Sequence, residues 1–197
     1  MNDEATVDRS LDTLAAVLDR VQEYLREHES DGIAPLKGRP ESWSYVHWRT
    51  RDVIDQLQVA RAHFPAHERP RFLECGAGFG FVTEMARELG FAATGIEIDP
   101  RYLAWARRLF PLARVVEGDL LTFDDWAGWD VVYYYAPFHD EHGDVARAFE
   151  EKVEDRLKPG GVLIANHKVS ERWRADPRFE VLRAEADIAF VLAKRLA

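Results

Sequence analysis

The chain has 197 residues, of which 47% are hydrophobic and 31% are charged, and its net charge is −9 at pH 7. This length and composition are typical of one globular domain and exclude two domains of ordinary size. The acidic balance argues against a nucleic-acid-binding protein, which usually carries a basic surface. Because no apolar run reaches the roughly twenty residues of a membrane span and the N-terminus is acidic rather than signal-like, we expect a cytoplasmic protein without nucleic-acid or membrane partners.

The first 70 residues are predicted to form a helical cap within a single domain of residues 1–197. Apolar residues at helical spacing predict one amphipathic helix over residues 10–28: Leu11, Leu14, Leu18, Val21 and Leu25. Glycines and prolines predict a loop over residues 30–48. Thr50 is expected to cap a second helix that ends near Pro65.

From residue 71 onward, predicted strands and helices alternate, which indicates an α/β fold with a mainly parallel sheet and helices on both faces. We expect strands near residues 71–75, 92–98, 114–118, 130–135 and 162–166, and helices near 81–89, 100–110 and 144–157. Two further apolar runs, residues 179–182 and 188–192, are too close together for a crossover helix. They are therefore expected to form an antiparallel hairpin, which makes the sheet seven-stranded.

A glycine-rich turn joins the first strand to the helix after it, with the sequence Glu74-Cys-Gly-Ala-Gly-Phe-Gly. A strand that leads through such a turn into a helix N-terminus is where α/β proteins bind nucleotide-like ligands. Gly76 can adopt the tight turn, and Gly78 lets a ligand approach the backbone because it has no Cβ. Acidic residues also follow the next two strands, at Glu97 and Asp99 and at Asp119.

These motifs resemble those of the class I S-adenosylmethionine-dependent methyltransferases, and the resemblance runs from residue 71 to the C-terminus. It rests on the glycine-rich turn and on four later segments in the family's order: Gly95-Ile-Glu-Ile-Asp-Pro, Glu117-Gly-Asp-Leu, Asp130-Val-Val-Tyr-Tyr-Tyr-Ala-Pro-Phe and Leu157-Lys-Pro-Gly-Gly-Val-Leu-Ile. The resemblance implies a Rossmann-like sheet that ends in an antiparallel hairpin. It also implies S-adenosyl-L-methionine as the cofactor.

The resemblance assigns the methionine end of the cofactor to the glycine-rich turn. Gly76 and Gly78 would contact it, and Glu74 would attract its ammonium group directly or through water. The alternative is that these glycines only form a turn between a strand and a helix.

The ribose and adenine of the cofactor are assigned to the ends of the second and third strands. Glu97 is expected to accept both ribose hydroxyls, because an ionised carboxylate accepts several hydrogen bonds. Asp99 is a second candidate, although the following proline also marks it as a helix N-cap. Asp119 would accept from the adenine amino group and Leu120 would pack on the ring, or Asp119 would be a simple turn residue.

The methyl acceptor is expected to lie beyond the fourth strand. Relatives that methylate amino groups of nucleic-acid bases carry Asn/Asp-Pro-Pro-Tyr/Phe there, and the matching residues in this chain are Tyr135 to Phe138. Pro137 and Phe138 fit that pattern and are assigned to substrate binding. The hydrogen-bonding acid or amide is replaced by Tyr135, so base methylation is not expected, and Tyr135 becomes a catalytic candidate.

The next segment offers a proton acceptor. His139 is predicted to act as a general base on the acceptor, or else to be a bystander in a polar loop. Residues 139–142 could also suggest a metal site like that of catechol-type methyltransferases, but three ligands within four residues are cramped, so no metal is expected. His167, just past the fifth strand, is a weaker candidate for the base.

Aromatic residues cluster in the loop before the second helix: Trp43, Tyr45, His47 and Trp48. They would form either a lid over the active site or a contact that fixes the N-terminal helices to the sheet. The family's closing N-terminal segments favour the lid. Tyr45 and Trp48 are therefore expected to contact the substrate.

The sequence thus predicts a methyltransferase that acts on an oxygen or nitrogen of a small molecule. One alternative is a protein methyltransferase of the lysine type, because an aromatic slot also suits an aliphatic amine. A second is a non-catalytic cofactor-binding subunit of a partner enzyme. A nicotinamide-dependent oxidoreductase is disfavoured, because its sheet would continue with parallel crossovers.

Overall fold

The computed structural model describes residues 12, 15–25, 48–138, 140–185 and 190–196. Most of the predicted loop over residues 30–48, including Tyr45, lies outside the described residues, and so does His139. Residues 15–25 are helical and are called α1. Among the described residues, no helix combines the length and the apolar character needed to cross a membrane.

The remaining elements alternate along the chain as the sequence predicts. The helices are α2 (Thr50–Arg61), α3 (Phe81–Glu88), α4 (Pro100–Leu109) and α5 (Gly143–Arg156). The strands are β1 (Arg71–Cys75), β2 (Ala92–Glu97), β3 (Val115–Glu117), β4 (Val131–Tyr135), β5 (Val162–Asn166), β6 (Phe179–Glu185) and β7 (Phe190–Arg195).

The sheet has seven strands in the order β3-β2-β1-β4-β5-β7-β6. Strands β1 to β5 pair in parallel, whereas β7 pairs antiparallel with both β5 and β6. The predicted terminal hairpin is therefore confirmed, and so is the mainly parallel sheet. The strand order reverses between β1 and β4, and ligands of open α/β sheets bind beyond the carboxyl ends of the strands at such a point.

The central strands are buried on both faces, which explains why they read as continuous apolar runs rather than alternating ones. Successive side chains of β4 enter different clusters, because strand side chains alternate between faces. Tyr133 packs in the cluster that includes residues of α2 and α3. Tyr134 packs in the cluster that includes Phe149 and Val153 of α5. The sheet is thus covered by helices on both faces.

The first turn of α2 is held by α1 rather than by its own sequence. Arg49 occupies the N-cap position and makes no capping bond with its side chain, so the expectation that Thr50 caps this helix was wrong. Instead, Thr50 donates through its backbone N–H (2.8 Å) and its hydroxyl (2.5 Å) to the carboxylate of Asp19. An acid from a neighbouring helix satisfies a free amide just as a local cap does. This contact fixes α2 to α1.

Candidate active site

The glycine-rich turn lies at the carboxyl end of β1, and its shape depends on left-handed backbone. Gly76 and Gly78 have φ values of 76° and 51°, which side chains with a Cβ rarely adopt. The turn is tied to the neighbouring strand, since the N–H groups of Gly76 and Ala77 both donate to the carbonyl of Ile96, at 3.0 and 2.9 Å. It therefore forms a fixed cradle between β1 and β2.

The carboxylate of Glu97 completes this cradle from the end of β2. One oxygen accepts from the N–H of Gly78 at 2.7 Å, and the other accepts from the N–H groups of Ile98 and Asp99 at 2.8 Å each. Only 7% of the residue is exposed, and burial raises its pKa although the three N–H donors oppose that change. A carboxylate has roughly four acceptor positions, so this one keeps capacity for about one further donor.

A second acid, Glu74, lies behind the turn and is 4% exposed. Its Oε2 accepts from both the backbone N–H and the hydroxyl of Thr83 in α3, at 2.7 and 2.5 Å. Burial raises its pKa from 4.5 to about 8, and the negative charge of Glu97 acts in the same direction. A cation bound in the turn would favour the ionised form of both acids.

Asp99 caps α4, as the sequence predicts. Its carboxylate accepts from the backbone N–H of Arg101 at 2.8 Å and also contacts the guanidinium group of that residue, with Nε at 3.0 Å from each oxygen. Most of its hydrogen-bonding capacity is therefore used within the helix start. Glu97 remains the acid at the end of β2 that reaches the glycine-rich turn.

Asp119 and Leu120 follow β3 on the same edge of the sheet. Asp119 is half-buried and accepts from the N–H of Leu121 at 3.0 Å, which is the turn geometry that aspartate favours. Leu120 is buried in the cluster that includes Ile96. The structure thus brings both residues to the strand ends beside Glu97.

A separate pocket of about 240 Å³ lies beyond the ends of β4 and β5. Its lining combines the start of α2 with the strand ends: Trp48, Arg49, Asp52, Val53, Gln56, Tyr135, Asn166 and His167. Trp48, which is predicted to contact the substrate, and Tyr135, which is predicted to be catalytic, are thus brought together. Pro137 borders the glycine-rich turn instead, because a Cβ on Gly76 would lie 3.5 Å from the Cβ of Pro137.

Phe138 does not line this pocket, although the linear motif assigns it to the substrate. Its ring lies 5.2 Å from that of Phe149 in α5, and only 7% of the residue is exposed. The backbone is left-handed at Ala136, with φ of 40°, just after β4 ends. The assignment of Phe138 to substrate binding stays a prediction. Tyr133 and Tyr134 of β4 are likewise buried in the core.

The floor of the pocket contains a buried pair of amides that the sequence analysis missed. Gln56 Nε2 donates to Asn166 Oδ1 at 3.0 Å, and Asn166 Nδ2 donates back to Gln56 Oε1 at 3.2 Å. These residues are 110 positions apart, so no spacing pattern links them. The pair fixes α2 to the end of β5 and thereby gives the pocket its shape.

The comparisons with known proteins agree with this geometry. Residues 73–165 match a family profile described as a methyltransferase domain. This span includes the glycine-rich turn, Glu97 and Asp119. Over this span the chain is similar to the methyltransferase-domain family, as its resemblance to the class I S-adenosylmethionine-dependent methyltransferases predicts. No curated protein has a sequence that matches the chain.

The chain is similar to several solved structures. An RNA methyltransferase from Salinibacter ruber, in complex with S-adenosylhomocysteine, is 22% identical with a TM-score of 0.56, over 77% of this chain and 94% of that one. The PH0226 protein from Pyrococcus horikoshii OT3 is 14% identical with a TM-score of 0.53, over 76% and 92%. CalS10, an amino pentose methyltransferase from Micromonospora echinaspora, is 26% identical with a TM-score of 0.48. The match covers 68% of this chain but only 58% of the length of CalS10.

The cofactor of this methyltransferase family, S-adenosylmethionine, fits the cradle on chemical grounds. The molecule carries a cationic sulfonium and an ammonium group, and the cradle contains two buried carboxyl groups, Glu74 and Glu97. The left-handed turn exposes Gly76 without a side chain, which allows a ligand close to the backbone. Glu97 has acceptor capacity for a ribose hydroxyl.

The raised pKa of Glu74 predicts a pH dependence of stability. The pKa of Glu74 is about 8 in the folded protein and near 4.5 in the unfolded chain. Between these pH values the folded protein therefore keeps a proton on Glu74 that the unfolded chain releases. The free energy of unfolding should therefore fall as the pH rises from about 4.5 to 8 and then level off. Glu74→Gln lacks this contribution. Its free energy of unfolding should therefore increase relative to that of the wild type as the pH rises.

Urea unfolding at several pH values between these limits measures the difference. Glu117→Gln is a matched control, because Glu117 is exposed at the end of the adjacent strand β3. If Glu74→Gln and the wild type show the same pH slope, the carboxyl group of Glu74 is not held protonated.

Proposed function

We propose that this methyltransferase transfers the methyl group of S-adenosylmethionine to an oxygen or nitrogen of a small-molecule acceptor. The observation that carries the proposal is the pocket of about 240 Å³ at the ends of β4 and β5. Strand β4 is the direct neighbour of β1, which leads into the glycine-rich turn. The pocket volume lies below the range of roughly 300–1,000 Å³ that is typical of ligand pockets, so it suits a small acceptor.

The cofactor contacts are proposed from the positions of the cradle residues. Gly76 and Gly78 would approach the methionine end, with Glu74 compensating its positive charge from behind the turn. Glu97 would accept from the ribose. Asp119 and Leu120, at the end of β3, would contact the adenine.

Asp99 is proposed to support the ribose site indirectly. Its carboxylate holds the start of α4, and its backbone N–H helps to orient Glu97.

Bound in this cradle, S-adenosylmethionine supplies a methyl group on a positively charged sulfur, which is already a good leaving group. The protein must therefore mainly position the acceptor. Trp48 and Tyr135 offer aromatic faces to it, and the amide pair Gln56 and Asn166 keeps the opposite walls at a fixed distance.

Residues 1–70 are proposed to act as a cap of the same domain. The described part supports this role, since residues 48–56 supply one wall of the pocket. The net charge of −9 supports a small acceptor over a nucleic acid, whose phosphates an acidic protein repels.

The test is transfer of labelled methyl groups from S-adenosylmethionine to a cell lysate that has been separated by molecular size. We expect the label in the small-molecule fraction, and roughly 10- to 150-fold less there with Glu97→Ala when the cofactor concentration is limiting. Label confined to the protein fraction would support a lysine-type methyltransferase instead. Binding of S-adenosylhomocysteine without transfer to either fraction would point to a non-catalytic subunit.

A further inference from the structure

His167 and Tyr135 form a hydrogen-bonded pair in the wall of the pocket. The Nε2 atom of His167 lies 3.1 Å from the hydroxyl of Tyr135, and the two ring centroids are 5.0 Å apart. Tyr135 is the register partner of Asn166 in the parallel ladder of β4 and β5. The next residue after Asn166 is His167, so the topology itself brings the imidazole beside the hydroxyl.

The backbone at His167 is strained. Its φ of 52° lies in the left-handed region, which residues with a Cβ seldom adopt. Such a conformation persists only where the surrounding structure imposes it, and it is concentrated at functional sites. Contacts on both sides of His167 must therefore hold it in this conformation.

Both neighbours of His167 are anchored to helices. On one side, the side chain of Asn166 is bonded to Gln56 of α2. On the other side, the buried carboxylate of Glu150 in α5 accepts from the N–H of Val169 at 3.0 Å and from the N–H of Ser170 at 2.6 Å. The anchors hold the backbone on either side of the imidazole, which fixes the imidazole at the pocket wall.

The hydroxyl of Tyr135 keeps its proton in this setting. Burial raises the pKa of Tyr135, and the negative charge of Asp52 acts in the same direction. A phenolate is thus disfavoured, and the neutral hydroxyl can donate one hydrogen bond and accept another. It is suited to pass a proton on rather than to keep one.

We propose that His167 is the final proton acceptor in the methyl transfer and that the hydroxyl of Tyr135 connects it to the methyl acceptor. This inference rests on the proposed function. The O–H or N–H proton of the acceptor passes to the oxygen of Tyr135, while the proton of Tyr135 passes to Nε2 of His167. Tyr135 is neutral before and after the step.

The methyl transfer itself forms one bond and breaks another. The electron pair left on the acceptor atom forms the bond to the methyl carbon, and the pair of the broken sulfur–carbon bond stays on sulfur, which gives S-adenosylhomocysteine. The imidazolium of His167 then returns its proton to water. The relay assigns the acceptor to hydroxyl or amine compounds that lose a proton when they are methylated.

The kinetic test compares Tyr135→Phe, His167→Gln and the double variant, with the small-molecule fraction of a lysate as the source of acceptor. Each single variant should transfer label about 10²- to 10⁴-fold more slowly, the usual contribution of acid–base catalysis. The double variant should be about as slow as a single one, because the two groups act as one unit. The affinity for S-adenosylhomocysteine should not change.

His63→Gln serves as the control, since His63 is exposed after α2. Normal transfer by His167→Gln, or losses that multiply in the double variant, would overturn the relay while leaving the proposed function intact. Absence of transfer by the wild-type protein would contradict the proposed function and the relay together.

A second readout needs no acceptor. Nitrogen-15 NMR of the imidazole, assigned by comparison with His167→Gln, reports which ring nitrogen carries the proton. The relay requires Nε2 of the neutral ring to be unprotonated and to change its shift in Tyr135→Phe. A proton on Nε2 of the neutral ring would overturn the relay, because that nitrogen could not receive one from Tyr135.

Discussion

Replacing Glu97 by alanine should weaken the binding of S-adenosylhomocysteine by about 1.5–3 kcal/mol, the scale for losing hydrogen bonds to a charged group. This free energy corresponds to a roughly 10- to 150-fold higher Kd. The loss has two sources. The variant lacks the carboxylate proposed to accept from the ribose, and it also releases the N–H of Gly78 that holds the glycine-rich turn in place.

Calorimetric titration of the variant with S-adenosylhomocysteine measures this effect, and Glu117→Ala is the matched control. Glu117 pairs with Glu97 in the β2–β3 ladder but is exposed. If Glu97→Ala binds as tightly as Glu117→Ala does, the ribose assignment fails.

Replacing Lys168 by methionine should lower the free energy of unfolding by about 3–5 kcal/mol, the usual cost of removing one partner from a buried ion pair. The Nζ atom of Lys168 lies 2.6 Å from Glu154 and 3.2 Å from Glu150, and all three side chains are at most 3% exposed. In the variant, Glu154 keeps Arg172 at 3.3 Å, but Glu150 loses its cation. The loss should shrink at low pH, because protonated carboxyl groups need no cation.

Urea unfolding near neutral pH checks this prediction, with Lys152→Met as the control. Lys152 pairs with Asp124 at 2.8 Å on the surface, where the side chains are 29% and 73% exposed. Such surface pairs contribute about 1 kcal/mol or less. Equal losses in the two variants would show that the buried ion cluster does not stabilise the fold.

The fold was predictable because its signals are local. Glycines and prolines separate the apolar runs of the sheet, and the sequence Asp99-Pro100 marks the start of α4. The short separation of the last two strands required a hairpin. Each of these signals acts over a few residues, so tertiary contacts did not override it.

The start of α2 shows where prediction from the local sequence fails. Thr50 has the residue type of a cap, but the acceptor that satisfies its amide is Asp19 of another helix. Similarly, Lys168 and Glu150 are 18 positions apart in the sequence, and only the fold buries them against one another.

The acceptor pocket was the least predictable part of the site. Its walls come from segments far apart in the chain, as the contact between Gln56 and Asn166 illustrates. Phe138, which the motif assigns to the substrate, does not line this pocket, and no sequence signal marks the left-handed turn at Ala136 that precedes it. His167 was named only as a weaker candidate, since its contact with Tyr135 depends on the register of β4 and β5.

The central claim is that the cradle of Gly76, Gly78 and Glu97 binds S-adenosylmethionine. The most direct test is a calorimetric titration of the wild-type protein with S-adenosylhomocysteine, with NAD as the control ligand. Saturable binding of S-adenosylhomocysteine and none of NAD is the expected result. Binding of NAD alone, or of neither ligand, would contradict the claim.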